Sequence, residues 1–182
     1  MPTWIWIFFI LAGGLFALKI SYVLSTALVL PITQGALYVS TSRVRVAAFM
    51  DAVPMKPGQL LVDLGCGDGR VLRMATKRYG IKTIGYEVNW MACLIARLLC
   101  MGDRTIKIKR KNFWKENLSA ADVVFCYLYP DVMQRLSKKL ISDLKPGTVV
   151  ASCNFSMPGF TPSNVLRPGG SLHNDPLYIY HI

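Results

Sequence analysis

Charge is almost missing from the first 42 residues, which carry Lys19 alone. A segment so poor in charge cannot present a solvated surface of its own, so it is read apart from the rest. Histidine is scarce at two residues, and the five cysteines (66, 93, 100, 126 and 153) contain no CxxC pair. That excludes the usual zinc spacings, and an odd number of scattered thiols excludes a disulfide framework. No metal is expected, and reduced thiols among apolar neighbours are expected to pack as small hydrophobes. Acids are outnumbered, 10 Asp and Glu against 21 Lys and Arg. There is no internal repeat and no low-complexity linker.

What is present at the N-terminus is apolar. Pro2–Leu18 is an uncharged run, and a second one continues from Ile20 to Ser42. At about 1.5 Å per residue, a helix over Trp4–Leu30 would reach roughly 40 Å, enough for a bilayer and its interfaces. Lys19 alone is a poor turn for a hairpin. The expectation is therefore one transmembrane helix, with Trp4 and Trp6 at one interface and Lys19 snorkelling toward the other. A cleaved signal peptide is the rival reading, although the segment ahead of the run lacks the positive charge such peptides carry. Arg43, Arg45 and Lys56 follow the span. The positive-inside rule then places the domain on the cytoplasmic side, or the matrix side in a mitochondrion.

The expected organisation is an anchor over 1–30, a linker and pre-domain helix over 31–58, and a domain over 59–182. Within the linker, the second half of residues 31–50 reads as a helix with Val44, Ala47, Ala48 and Met50 apolar and Arg43 and Arg45 polar. From residue 59 the pattern alternates. Strands are predicted over Gln59–Leu64, Lys82–Glu87, Thr105–Lys109, Asp122–Leu128, Thr148–Phe155 and Leu177–Ile182. Helices are predicted over Asp68–Arg78, Asn89–Met101 and Asp131–Leu144. Strand and helix in alternation imply an α/β, Rossmann-like doubly wound fold with a parallel sheet covered on both faces. The segment 156–176 is rich in Pro, Gly, Ser and Asn and gives no clear element.

In such a sheet, ligands bind at the carboxyl ends of the strands beside the first strand–helix turn. Here the turn is Gly65-Cys66-Gly67-Asp68-Gly69. A dinucleotide loop would carry a third glycine where Arg70 stands, and a P-loop would end in Gly-Lys-Ser/Thr. The chain has instead Asp63-x-Gly65-x-Gly67-x-Gly69, and Glu87 at the end of the second strand, placed to accept ribose hydroxyls. The alternatives are a tight turn of another α/β fold, and for Glu87 a solvated strand end.

The first of these patterns resembles motif I of class I, seven-strand S-adenosylmethionine-dependent methyltransferases. The resemblance implies that Asp63 and the backbone of Gly65, Cys66, Gly67 and Gly69 hold the amino-acid end of S-adenosyl-L-methionine and that Glu87 holds its ribose. It also puts Asn112 and Phe113 next to the adenine, although core packing explains Phe113 as well. Tyr127-Leu-Tyr129-Pro130-Asp131 narrows the resemblance to the small membrane-anchored protein-lysine methyltransferases of mitochondria and their prokaryotic relatives. Those act on the ATP synthase c-subunit and the adenine nucleotide translocase. Gly35–Thr41 and Gly85–Asn89 agree, and the likeness covers most of residues 33–155. The chain departs from the pattern at Cys66, often Ser or Ala, and at Leu37, where Pro is common.

The resemblance implies a methyltransferase acting on a lysine of a membrane-associated protein. The alternatives are an enzyme acting on a lipid, quinone or other small membrane compound, and a non-catalytic membrane-anchored cofactor-binding protein. Tyr127, Tyr129 and Pro130 can form a narrow slot for the acceptor amine. Asp131 can accept its proton, or serve only as the N-cap of the helix it begins. Tyr38 can close the site from the linker or pack in the core. The basic run Arg104–Lys111 alternates Lys with Ile, which suits a guarded edge strand or anionic headgroups better than nucleic acid.

Overall fold

A computed structural model of the chain describes residues 2–29, 40–169 and 175–182. The apolar N-terminus is one unbroken helix, α1 (Thr3–Val29), which runs through Gly13, Gly14 and Lys19. It is long and apolar enough to cross a membrane by length and composition. A second helix, α2 (Arg43–Ala52), starts at Ser42, whose Oγ accepts the N–H of Arg45 at 3.3 Å.

The domain then alternates as β1 (Leu60–Leu64), α3 (Arg70–Tyr79), β2 (Lys82–Tyr86), α4 (Trp90–Leu99), β3 (Ile106–Lys109), β4 (Val123–Cys126), α5 (Pro130–Asp143), β5 (Val149–Cys153), β6 (Asn164–Leu166) and β7 (Leu177–His181). The strands form one seven-stranded sheet in the order β3-β2-β1-β4-β5-β7-β6. β1 to β5 are parallel. β7 runs antiparallel to β5, and β6 to β7. The sheet is therefore mixed where a parallel one was expected, because β7 returns directly beside β5 without a crossover helix.

The alternation of β1 places its residues on two cores. Leu61 joins Val46, Phe49 and Met50 of α2, Val71 and Ala75 of α3, and Phe125. Val62 and Leu64 join Met133, Leu136 and Leu140 of α5, with Tyr180. Sequence order reverses direction between β1 and β4, so the carboxyl ends of these two strands form the switch point where such sheets take ligands.

Arg45 departs from expectation. It is expected among the polar residues of its helix, but it is buried with Val46, Phe49 and Met50 while Val44 is exposed. An ion pair with Asp175 compensates the burial; a charge is buried only when it is paired in this way. The expected edge at Thr105–Lys109 is found, since β3 ends the sheet. β4 ends at Cys126, two residues before the expected Leu128, and β6 lies within 156–176, where the sequence gives no clear element.

Gly85 shows how tightly the first two strands are held. It pairs with Asp63 across the sheet, and a Cβ there would stand 2.5 Å from Cys66 Sγ and 2.6 Å from Leu72 Cδ1. Both neighbours are buried, so neither can swing into solvent. Gly85→Ala is expected to cost about 1–3 kcal/mol by overpacking, read as a lowered urea midpoint for the full chain in detergent.

Candidate active site

The glycine loop is built from backbone that L-residues with side chains rarely adopt. Gly65, Gly67 and Gly69 all have positive φ, at 80°, 53° and 72°, where glycine carries no steric cost. The N–H groups of Gly65 and Cys66 both donate to Tyr86 O, at 2.9 and 3.0 Å. That fork ties the loop to the end of β2. Gly69 is the N-cap of α3 and has no side chain to cap it; the first helical N–H, that of Arg70, is instead accepted by Asp68 Oδ1 at 3.1 Å.

Two acids stand at the ends of the two neighbouring strands. Asp63 on β1 is 2% exposed. Its Oδ2 is one of two buried side-chain polar atoms without a hydrogen-bond partner among the described residues, Arg45 Nε being the other. Burial pushes the Asp63 carboxyl well above the usual carboxylate range, and the nearby charges of Glu87 and Asp68 push it further. Glu87 is also buried, which overturns the solvated strand-end reading. Its Oε2 accepts Gly67 N–H at 2.9 Å and its Oε1 accepts Asn89 N–H at 2.8 Å. Burial raises this carboxyl too, and the backbone donors of Asn89 and Gly67 pull it back.

A cleft joins Asp63, Gly65 and Cys66 to Thr41, Phe125 and Tyr127, with Asp68 and Arg70 on its wall. Phe125 pairs with Asp63 across β1 and β4, which is why the segment after β4 reaches the cleft. Arg70 closes that side by bonding Asp68, at 2.9 Å, and Thr41 O, at 2.7 Å. The Cys66 thiol lies at the loop, and burial foremost keeps it protonated. The Cys126 thiol is pushed up to about 12 by burial. These are packing thiols, as the sequence led us to expect.

The remaining expected site residues fall as follows. Tyr127 lines the cleft, and Arg45 Nη1 donates to its hydroxyl at 3.4 Å. Tyr129 is half-buried and is itself the N-cap of α5, with Pro130 in the first helical position. Asp131 is therefore not the cap; it is exposed in the first turn, where a negative charge suits the helix dipole. Asn112 Oδ1 accepts Trp114 N–H at 3.1 Å and caps a single 3-10 turn. Phe113 packs against the α5-side core. Both follow β3, on the same carboxyl edge of the sheet as Glu87. Tyr38 lies outside the described residues, as does Leu37.

Arg45, Asp68 and Thr41 were not among the expected site residues. Asp68 sits inside the glycine motif, so its position was a signal that went unused. Arg45 gives none, because an arginine beside Arg43 on a short helix reads as solvated.

The sequence model of the ANTKMT methyltransferase domain matches residues 63–164. The chain belongs to this methyltransferase family. It is 32% identical to a protein-lysine N-methyltransferase of Saccharolobus islandicus, over 80% of this chain and 92% of that one. It is likewise 32% identical to the mouse adenine nucleotide translocase lysine N-methyltransferase, over 76% of this chain but 62% of the mouse protein. Among solved structures, an RNA methyltransferase of Salinibacter ruber in complex with S-adenosyl-L-homocysteine superposes with TM-score 0.73 at 28% identity, covering 79% of this chain and 94% of that one.

The cofactor of the family is S-adenosyl-L-methionine, and the residues present fit it. A buried carboxylate oxygen without a partner suits the ammonium of the cofactor's amino-acid end. The three alternating glycines of the loop leave room for close backbone approach. Glu87, oriented by two backbone donors, keeps lone pairs for a ribose diol.

The electrostatics of Asp63 give a prediction of definite sign. Its folded pKa lies above the unfolded one, so the folded state holds the extra proton between the two and stability falls as pH rises through that interval. Asp63→Asn should therefore raise the thermal midpoint of the cofactor-free protein at neutral pH, with the gain vanishing below the ordinary carboxylate range. The same variant should bind S-adenosyl-L-homocysteine roughly 10- to 100-fold more weakly, the value of one charge-assisted bond. For the wild type, affinity should rise with pH as Asp63 ionises. Calorimetric titration and thermal scans across pH check both.

Proposed function

We propose that this chain is a membrane-tethered protein-lysine methyltransferase. Residues 1–30 anchor it, 31–58 lead into the domain, and 59–182 carry out methyl transfer on the cytoplasmic side, or the matrix side in a mitochondrion. The observation that carries the lysine reading is the likeness to a protein-lysine N-methyltransferase over 80% of this chain and 92% of that relative. The long exposed α1 supports the tether. An acceptor that is itself in or near the membrane follows from tethering, which raises its effective concentration.

When bound, S-adenosylmethionine supplies an electrophilic methyl on a sulfonium. The chain's own task is to hold a neutral amine in line with that methyl, so that the new N–C bond forms as the S–C bond breaks and the amine gives up a proton. A free lysine has a pKa of about 10.4, so presenting it neutral at pH 7 costs about 4–5 kcal/mol. Partial burial beside Tyr127 and Tyr129 lowers that cost by disfavouring the ammonium. Tyr127 is fixed on the acceptor side of the cleft by Arg45, whose guanidinium also lies 5.7 Å from its ring centre. Pro130 sets the entry of α5 and keeps Tyr129 extended beside the slot. Asp131, exposed in the next position, receives the proton or orients the amine. Asp63 and Glu87 orient the donor, with Cys66 packed beneath the loop and Asn112 and Phe113 toward the adenine.

The test is to incubate the full chain with labelled S-adenosylmethionine and native membranes, then to fractionate. Label on lysine in a protein band is the expected outcome. Label in the organic phase would replace the reading with a lipid or quinone acceptor. Label in RNA would align the chain with its Salinibacter neighbour, and binding without transfer would make it a non-catalytic cofactor protein. Asp131→Asn should lower turnover about a hundredfold or more if it handles the proton, with S-adenosyl-L-homocysteine affinity unchanged.

A further inference from the structure

Of the domain helices, α4 is exceptional in what it shows to solvent. The outer faces of α3 and α5 carry Lys77, Arg78, Arg135 and Lys138. The outer face of α4 carries Trp90, Leu94, Leu98 and, just past its end, Met101, a row at helical spacing that is 38%, 44%, 58% and 80% exposed. The opposite side of the helix is accounted for, since Met91, Ala92, Cys93 and Ala96 are buried in the domain. Packing therefore does not explain the outer row. An apolar face of this kind on a soluble domain marks a contact surface.

Two neighbours indicate what covers it. The first is the anchor: α1 packs on α4 through its last turns, where Ser25 is buried and Thr26 Oγ1 meets Asn89 Nδ2 at 3.4 Å. Asn89 is the N-cap of α4. A helix as long as α1 fills a bilayer, so these last turns lie at headgroup level. The start of α4 is thereby held at the same level. The second is charge. Arg97 holds α4 to Ile108 O on β3, and beside this contact Arg104, Lys107, Arg110 and Lys111 are all exposed. An apolar row rimmed by cations is the pattern of a helix that lies in a membrane interface.

We propose that α4 lies flat in the interface of an anionic bilayer, its apolar row among the acyl chains and the basic edge around β3 against lipid phosphates. The domain then meets the membrane at two places, α1 and α4, and is held in one orientation. Glu87 and Asn89 precede α4 directly, so the carboxyl edge of the sheet, with its cofactor cleft, stands at the lipid surface. The basic run along β3 has its role here. The inference rests on the membrane-tethered reading of α1.

The five native cysteines are buried, so single introduced cysteines can carry a spin label selectively. The full chain is placed in nanodiscs of phosphatidylcholine and phosphatidylglycerol with labels at Leu94→Cys or Leu98→Cys on α4, Leu11→Cys in α1, and Ile141→Cys, exposed on α5 across the domain. Collision with oxygen against a water-soluble nickel chelate then reports depth. Leu94 and Leu98 should favour oxygen, as Leu11 does, and Ile141 should favour the chelate. Labels on α4 that behave like Ile141 while Leu11 stays in lipid would overturn the proposal and leave the anchor standing. An aqueous Leu11 would overturn the anchor and the proposal with it. Spin–spin broadening at Leu98 that disappears on dilution with unlabelled chain would assign the face to a second copy. Unchanged depth in phosphatidylcholine alone would overturn the role given to the basic edge.

Discussion

Two carboxylates buried side by side govern this site. Asp63 and Glu87 end adjacent strands; burial raises both carboxyls, and the charge of Glu87 adds to the cost of ionising Asp63. Glu87 is partly compensated by two backbone N–H groups, one of them from the glycine loop. Asp63 Oδ2 has no such partner among the described residues. The protein therefore stores an unfavourable charge arrangement that a ligand with a cationic amine relieves, and binding energy is spent where it also selects the ligand.

Much of the fold around these acids serves to keep them close. The loop turns between the strand ends with positive φ at three alternating positions, which glycine fills without steric cost. Gly85 must lack a Cβ because Cys66 and Leu72 occupy the space beneath it. Cys66 fits this role, since its thiol is buried and protonated and so packs as an apolar group.

The acids and glycines were legible in the sequence because their chemistry depends on local spacing. The strand–helix alternation was legible for the same reason, and the expected elements fall within a few residues of those found. What was not legible depends on distant parts of the chain meeting. Arg45 and Asp175 lie on opposite sides of the domain in sequence, and only their pairing makes a buried arginine tolerable. The antiparallel β7 and short β6 depend on β5 offering an open edge, which no local pattern announces. Asp131 illustrates the smaller error: Asp before a helix suggests a cap, but Pro130 fills the first helical position and moves the cap to Tyr129.

The end of the cleft proposed to hold the donor is thus lined by buried groups, whereas the end proposed for the acceptor is more open. Tyr127 is held by Arg45, but Pro130 and Asp131 are exposed. An exposed acceptor slot cannot desolvate an amine by itself, and desolvation is what a lysine needs to become a nucleophile. A substrate that brings its own apolar surroundings meets that need, because it closes the slot as it docks. On the proposed membrane-tethered reading, a protein lying in the same bilayer as α1 is such a substrate. The proposed tether and the chemistry then make the same demand: the membrane would concentrate the acceptor, and the acceptor would complete the dry environment that the domain alone leaves open.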